Sequence, residues 1–312
     1  FRSSQRMGRL SRSSDCRAQP HLLHLQPPRR ARLKLASHHM QPFSLPEQFF
    51  YLMEHEAETH RLEQKTDFDS LSAQAHWAGL RPGMRVLDVG CGAGITTKML
   101  SKLVGESGSC LGIDASPERI EHARNLYSGP GISFLQANIY APLDYLPPFD
   151  FIWVRFFLEY HQQGAATIVH RLKKCLRPGG ILCLIDLDNN CTGHFEMPER
   201  LSQALNGVMQ QLVDHRDFDP QMGKKLYTYM YDAGMQDIAV SLGAHHLIYG
   251  HLQEKEAYNW SRKIEVAAAR SGYEFPEYEE GFEGFLRDFK EFFFDPRRFT
   301  YTPLLCCRGV AF

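Results

Sequence analysis

The sequence lacks the two spacings that most often announce a zinc site, a Cys-x-x-Cys pair and a His-Glu-x-x-His helix. No apolar run approaches the roughly 18 residues needed to cross a bilayer, so no membrane span is expected. An excess of charge is also missing. Thirty-five Lys and Arg stand against 36 Asp and Glu, for a net charge of -1, which leaves no long-range field to draw in nucleic acid. What is present is an ordinary globular composition, 43% hydrophobic and 23% charged over 312 residues, enough for one main core with additions. The eight cysteines are scattered, several within apolar runs such as 181–186. They read as free thiols packed like small hydrophobes, in a reducing, cytoplasmic setting.

Four stretches differ in character. Residues 1–39 carry nine Arg or Lys against the single acid Asp15 and read as a disordered or non-native N-terminal segment outside the fold. Residues 40–80 place Phe49, Leu52, Met53, Leu62, Leu71 and Trp77 at roughly helical spacing, as N-terminal cap helices. Residues 81–188 alternate short apolar runs with amphipathic ones, the pattern of βα units on a parallel sheet. Strands are expected near 85–89, 109–113, 132–136, 150–154 and 180–186, and helices near 94–104, 117–127 and 162–176. Residues 189–312 depart from this alternation. Helices over 198–215, 223–233, 253–271 and 278–294 read as lid insertions, and 236–249 and 298–312 as the last two strands of the same domain. The fold class is therefore α/β: a doubly wound, mostly parallel, Rossmann-like sheet of seven strands.

The run Val86-Leu87-Asp88-Val89-Gly90-Cys91-Gly92-Ala93-Gly94 ends one strand and opens a helix, the place where open α/β sheets bind ligands. Its glycines are spaced GxGxG, with Ile95 where a dinucleotide fingerprint needs its third glycine, and no GK[ST] follows. Those departures argue against NAD and against a P-loop. At the next strand end, Gly112-Ile113-Asp114-Ala115-Ser116 offers a carboxylate to a pair of ribose hydroxyls. Its competing role is to cap the helix from Pro117, but Ser116 can take that role and release Asp114. A third strand end, Gln136-Ala137-Asn138-Ile139, supplies an amide and backbone groups.

Together with Phe149-Asp150-Phe151-Ile152 and Leu176-Arg177-Pro178-Gly179-Gly180, these motifs make residues 82–188 resemble the class I S-adenosylmethionine-dependent methyltransferases, closest to the small-molecule type of ubiquinone and menaquinone biosynthesis. The resemblance implies S-adenosyl-L-methionine as cofactor, with S-adenosyl-L-homocysteine as product. It implies that Asp88, Gly90, Cys91, Gly92 and Gly94 meet the methionine portion, Asp114 and Ala115 the ribose, and Asn138 and Ile139 the adenine, with Asn138 standing where the family has Asp. Arg155 borders the same cleft, and Tyr51, Arg61 and Gln64 are expected to fold over the cofactor from the N-terminal side, an Arg meeting its carboxylate.

Because the sulfonium activates the methyl group, the protein must align an acceptor, exclude water and remove a proton only when the nucleophile carries one. The stretch from Arg155 to His161 is the place for a base, with His161 and Glu159 as candidate catalytic residues and Asp186 a weaker one. Phe282, Phe285, Phe289, Phe292, Phe293 and Phe294 fit a helix packed on the core, some of them bordering an apolar acceptor pocket. His245 and His246 are expected to point to opposite faces of a strand, which disfavours a joint metal site. The expected acceptor is a small molecule. Protein or RNA methylation is the alternative, disfavoured by the neutral charge, and so is a cofactor-binding module without catalysis.

Overall fold

The computed structural model describes residues 68–312. Tyr51, Arg61, Gln64, the 1–39 segment and most of the expected cap region lie outside the described residues. The order of elements begins with helix α1 (Phe68–Ala78), then β1 (Arg85–Val89), α2 (Ile95–Val104), β2 (Ser109–Asp114), α3 (Pro117–Tyr127), β3 (Ile132–Gln136), β4 (Phe149–Arg155), α4 (Ala165–Lys174) and β5 (Leu176–Leu187). It continues with β6 (His194–Phe195), α5 (Glu199–His215), α6 (Leu226–Asp232), β7 (Gln236–Tyr249), α7 (Glu254–Ser271), α8 (Phe282–Phe294) and β8 (Phe299–Val310).

Five strands pair in parallel in the order β3-β2-β1-β4-β5, and β8 then joins β5 antiparallel. This order reverses beside β1, which opens a crevice at the carboxyl ends of β1 and β4. The parallel strands are apolar on both faces, as Leu182 to Ile185 show, because helices cover both sides. One face buries Leu87, Val89, Ile152, Val154, Leu182 and Leu184 against α4 and α6. On the other, Leu71 and Ala75 of α1 and Leu100 of α2 meet Val86, Phe151 and Trp153. Burial of this kind contributes about 1.5–3 kcal/mol for each large side chain.

The outer part of the sheet differs from the expectation in two ways. Among the described residues the sheet has eight strands rather than seven. The extra one is the two-residue β6, whose His194 and Phe195 take up Thr300 and Phe299 of β8, just past the point where β5 has left that strand at Leu187 and Leu304. Along its other edge β8 carries the whole of β7, and there the register is interrupted twice, between Gln236 and Ala239 and again where Ala244 faces Pro303, His246 faces Thr302, and His245 has no opposite number. Such a bulge changes which residues share a face. Ser241 and Gly243 lie opposite Cys306 and Leu304, while His246 and Ile248 lie opposite Thr302 and Thr300. The rings of His245 and His246, expected to diverge, therefore touch, with centroids 4.3 Å apart.

Helices α5, α7 and α8 form a second core of their own, with Leu205, Val208, Leu212, Trp260, Ile264, Phe285, Phe289 and Phe293 buried together. α5 and α7 fall where the apolar spacing puts them, whereas the helix expected over 223–233 is split into a 3-10 turn (Met222–Lys225) and α6, and the one expected from 278 opens only at Phe282. α7 opens on a reciprocal cap between Gln253 and Glu256 and closes on Gly272 at φ 79°.

Candidate functional site

The glycine loop between β1 and α2 is bent back so that Gly90 and Cys91 both donate their backbone N–H groups to the Ile113 carbonyl, at 2.8 and 3.0 Å. All three glycines have positive φ, 70°, 53° and 92° at Gly90, Gly92 and Gly94, a region closed to most side chains. Each has its own reason for lacking a Cβ. One on Gly90 would lie 2.3 Å from the Phe157 ring and one on Gly94 2.7 Å from the Ala123 Cβ, whereas one on Gly92 would meet nothing within 4 Å among the described residues. Gly90 and Gly94 are thus required by packing, and Gly92 is not crowded by any of these residues. Cys91 turns its side chain into a small core with Ile120, Ala123 and Phe134, and its carbonyl accepts the Gly94 N–H at 3.0 Å, so its backbone shapes the loop from within.

Asp88, at the end of β1, is 2% exposed and accepts the Thr97 hydroxyl at 2.6 Å. Burial pushes its carboxyl up to about 7; the Thr97 hydrogen bond and the nearby Arg155 charge oppose that rise, and Asp114 adds to it. Asp114, at the end of β2, is tied to the loop: its Oδ2 accepts the Gly92 N–H at 2.9 Å and its Oδ1 the Ser116 N–H at 3.0 Å. Ser116 caps α3 by accepting the Arg119 N–H, and each Asp114 oxygen keeps a further lone pair. Ala115 beside it is exposed. Asn138 is also exposed, but its Oδ1 accepts the Tyr140 N–H at 2.9 Å and closes a local turn. The Ile139 side chain is buried.

The fourth strand end brings Arg155 over the Phe156 ring, 4.1 Å from guanidinium carbon to centroid, with Phe156 at φ 53°. His161 lies 2.9 Å from the Tyr140 hydroxyl through Nδ1 and packs at 4.3 Å and a tilt of 44° on Phe157, the ring that closes on Gly90. Burial pushes the imidazole down to about 4, so it is neutral and weakly basic. Glu159 is buried as well. Its Oε2 accepts the Asn190 amide at 2.8 Å, and its backbone N–H reaches Asp186 Oδ2 at 3.2 Å. Burial, reinforced by the neighbouring Glu159, pushes the Asp186 carboxyl well up. Asn190 in turn accepts Lys263 of α7 at 2.7 Å, which links the helical layer to the strand ends.

Asp88, Gly90, Gly92, Asp114 and Arg155 are thus brought to one crevice, while Cys91 and Ile139 point their side chains inward and His161 braces the loop from behind. Thr97, Tyr140, Phe157, Asn190 and Lys263 complete this surround without a motif to announce them. A shallow depression of about 320 Å³ lined by Arg85, Asp150 and Arg177 lies at the opposite, amino-terminal end of the strands. There Asp150 is consumed by the Arg85 N–H and an ion pair with Arg177 at 2.5 Å.

Residues 86–180 match the family model of the methyltransferase domain. Trans-aconitate 2-methyltransferase of Methylobacterium nodulans is 31% identical over 134 residues, 43% of this chain and 46% of that protein. The 2-methyl-6-phytyl-1,4-hydroquinone methyltransferase of Synechocystis is 33% identical over 158 residues, 49% and 46% of the two chains, and the ubiquinone biosynthesis O-methyltransferase of Vibrio cholerae is 27% identical over 44% and 55%. The chain spans about half the length of the curated relatives it matches. In fold it is similar to phosphoethanolamine N-methyltransferase 2 of Haemonchus contortus, solved with S-adenosyl-L-methionine, at a TM-score of 0.51 and 14% identity over 81% of this chain and 56% of that one.

Proposed function

We infer, from a chain whose residues 86–180 form a class I S-adenosylmethionine-dependent methyltransferase domain, that it transfers a methyl group to a small organic acceptor. The observation that carries this is the cradle at Gly92: a positive-φ glycine whose Cβ position meets none of the described residues within 4 Å, its N–H held by Asp114 at the neighbouring strand end. A backbone that a ligand can approach closely, next to a carboxylate with lone pairs to spare, fits a nucleoside bearing vicinal hydroxyls.

When bound, S-adenosyl-L-methionine supplies a sulfonium methyl ready for in-line displacement and leaves as S-adenosyl-L-homocysteine. In this reading Asp114 and Ala115 take the ribose, and Asp88 with the backbone of Gly90, Cys91, Gly92 and Gly94 takes the amino acid end. Asn138 and Ile139 border the adenine, where Asn138, its carbonyl already engaged by Tyr140, offers its NH₂ as donor. Arg155 balances the Asp88 charge. Tyr51, Arg61 and Gln64 are assigned to the cofactor on the sequence resemblance alone.

Of the two candidate bases, Glu159 suits proton transfer better than His161. The imidazole is spent on Tyr140 and Phe157 and is pushed down to about 4, which makes it a brace for the loop. Glu159 and Asp186 are two neighbouring buried carboxyl groups that resist being ionised together, so the pair can take up or release one proton when the acceptor nucleophile carries one. The named relatives act on small organic molecules, which supports a small acceptor over protein or RNA. No helix among the described residues is long and apolar enough to cross a membrane, and the seven cysteines among them are free. Both observations favour a cytoplasmic site of action.

Titration calorimetry with S-adenosyl-L-homocysteine tests the cofactor assignment, and absence of heat with folded protein overturns it. Tritiated methyl transfer into a panel of small acids and phenols then separates an enzyme from a binding module.

A further inference from the structure

Two buried side chains of the helical layer carry N–H donors that have no hydrogen-bond partner among the described residues. Arg298 is 2% exposed, yet its Nη1 and Nη2 make no hydrogen bond, and the indole Nε1 of Trp260, also 2% exposed, is likewise unpaired. Leaving such donors unmade costs about 1–3 kcal/mol each, more for a charge, and an unsatisfied buried group calls for an ion, a water or a ligand. Only the Arg298 Nε is used, donating to the Phe293 carbonyl at 2.8 Å. The carboxylates of Glu256 and Asp295 lie near enough to act on its charge but make no hydrogen bond to either Nη.

Both groups border the Phe293 ring. The guanidinium lies 5.1 Å from the Phe293 centroid, and the Trp260 ring lies 5.1 Å from the same ring. His194, 5.5 Å from Trp260, closes a third side with both ring nitrogens committed, to Thr300 Oγ1 at 2.8 Å and to the Cys191 carbonyl at 3.1 Å. This place is connected to the crevice by ring contacts, from Phe156 at the end of β4 to His245 at 4.8 Å, His246 at 4.3 Å and Trp260 at 5.1 Å.

We propose that Arg298 and Trp260 form the recognition end for the carboxylate of a small aromatic or apolar acid, the acceptor class of the methyl transfer, held between α7, α8 and the loop after β5. This rests on the methyltransferase reading for the molecule's fate but not for its binding. A planar guanidinium with two free nitrogens matches the two oxygens of a carboxylate, the indole N–H supplies a further donor to the same molecule, and the rings of Phe293, Trp260 and His246 suit an apolar body. Burial keeps His194 neutral by pushing it down to about 4. Lys263 lies 5.2 Å from the Trp260 centroid, and Glu256 and Asp295 act on the guanidinium, so what an anion would find here is the pair of unused Nη donors rather than an uncompensated charge.

Benzoate and benzamide, alike in shape and different in charge, are the probes. With the full chain labelled with nitrogen-15 and saturated with S-adenosyl-L-homocysteine, the indole resonance of Trp260, assigned with Trp260→Phe, reports occupancy. Benzoate is expected to shift that resonance and to bind at least about tenfold more tightly than benzamide. Arg298→Met should abolish the difference and Arg298→Lys restore part of it. Equal binding of the two probes, no shift with benzoate, or a shift that survives Arg298→Met overturns the proposal. The comparison of probes on the unaltered protein decides the matter even where Arg298→Met does not fold. S-adenosyl-L-homocysteine affinity in the same samples tests the cofactor separately. Binding of the cofactor without benzoate defeats only this inference, and binding of benzoate without the cofactor defeats only the methyltransferase reading.

Discussion

The parallel half of the sheet, residues 85–187, and the helical layer with the outer strands, residues 188–312, solve the same burial problem by different means. In the first, each strand end delivers one functional group to a crevice, and the backbone itself is part of the site: Gly92 is held by Asp114, and Gly90 and Cys91 share the Ile113 carbonyl. In the second, the functional groups are side chains gathered from distant elements, Asn190, His194, Trp260, Lys263 and Arg298, around a phenylalanine core. A site made of backbone is fixed by a short motif, and a site made of assembled side chains is free to vary. The match to the methyltransferase family over 86–180 falls within the first half.

The sharpest attempt to break this comparison is Phe285→Ala, which empties a fully buried position of the helical core. It should cost about 3–5 kcal/mol in urea unfolding while leaving S-adenosyl-L-homocysteine affinity of the folded protein within about twofold. A loss of cofactor affinity would show the two halves to be coupled. Next, Asp88→Asn addresses the cofactor half. The folded carboxyl sits at about 7 against an ordinary 3.8, so the unfolded chain releases this proton first, and stability falls as pH rises from about 4 to 7 and is flat above. The variant should remove that fall, gaining about 2–4 kcal/mol at pH 8 and nothing at pH 3.5, while losing cofactor affinity; unfolding curves at both pH values check it. Gly94→Ala puts a Cβ at φ 92° against Ala123 and Phe134 and should cost about 2–3 kcal/mol, read as a lowered urea midpoint. Smallest is Asp114→Ala, expected to weaken S-adenosyl-L-homocysteine binding by about 1–3 kcal/mol in calorimetry; unchanged affinity would leave Asp114 a mere tether for the Gly92 and Ser116 amides.

Legibility follows the same division. Strand 85–89 stands where the apolar run puts it, because a strand buried on both faces has little freedom in its composition; the edge strand 132–136 also stands where expected, although only Phe134 of it is buried. The helices of the outer layer were readable from their 3.6-residue spacing, as α5 and α7 show within a residue of expectation. What each helix faces was not, since periodicity defines an apolar stripe but not its partner. The two-residue β6 is too short for any pattern. Thr97 on Asp88, Tyr140 on His161 and Asn190 on Glu159 are contacts between residues separated by 9, 21 and 31 positions, and nothing local predicts them. The His161 imidazole shows the limit most clearly: its ordinary pKa suits a base, and the burial that disqualifies it exists only in the folded chain.

The extra residue at His245 also leaves a mark that evolution can read. A related chain that lacks the unpaired residue would run in strict alternation, keep His246 opposite Thr302 and Ile248 opposite Thr300 on the side of the helical layer, and lose the contact between the two histidine rings. A one-residue gap at 245 in otherwise similar sequences should therefore leave 246, 248 and 260 as they are and travel with substitutions at Phe156, whose ring meets the outer strands only through the residue that the bulge adds.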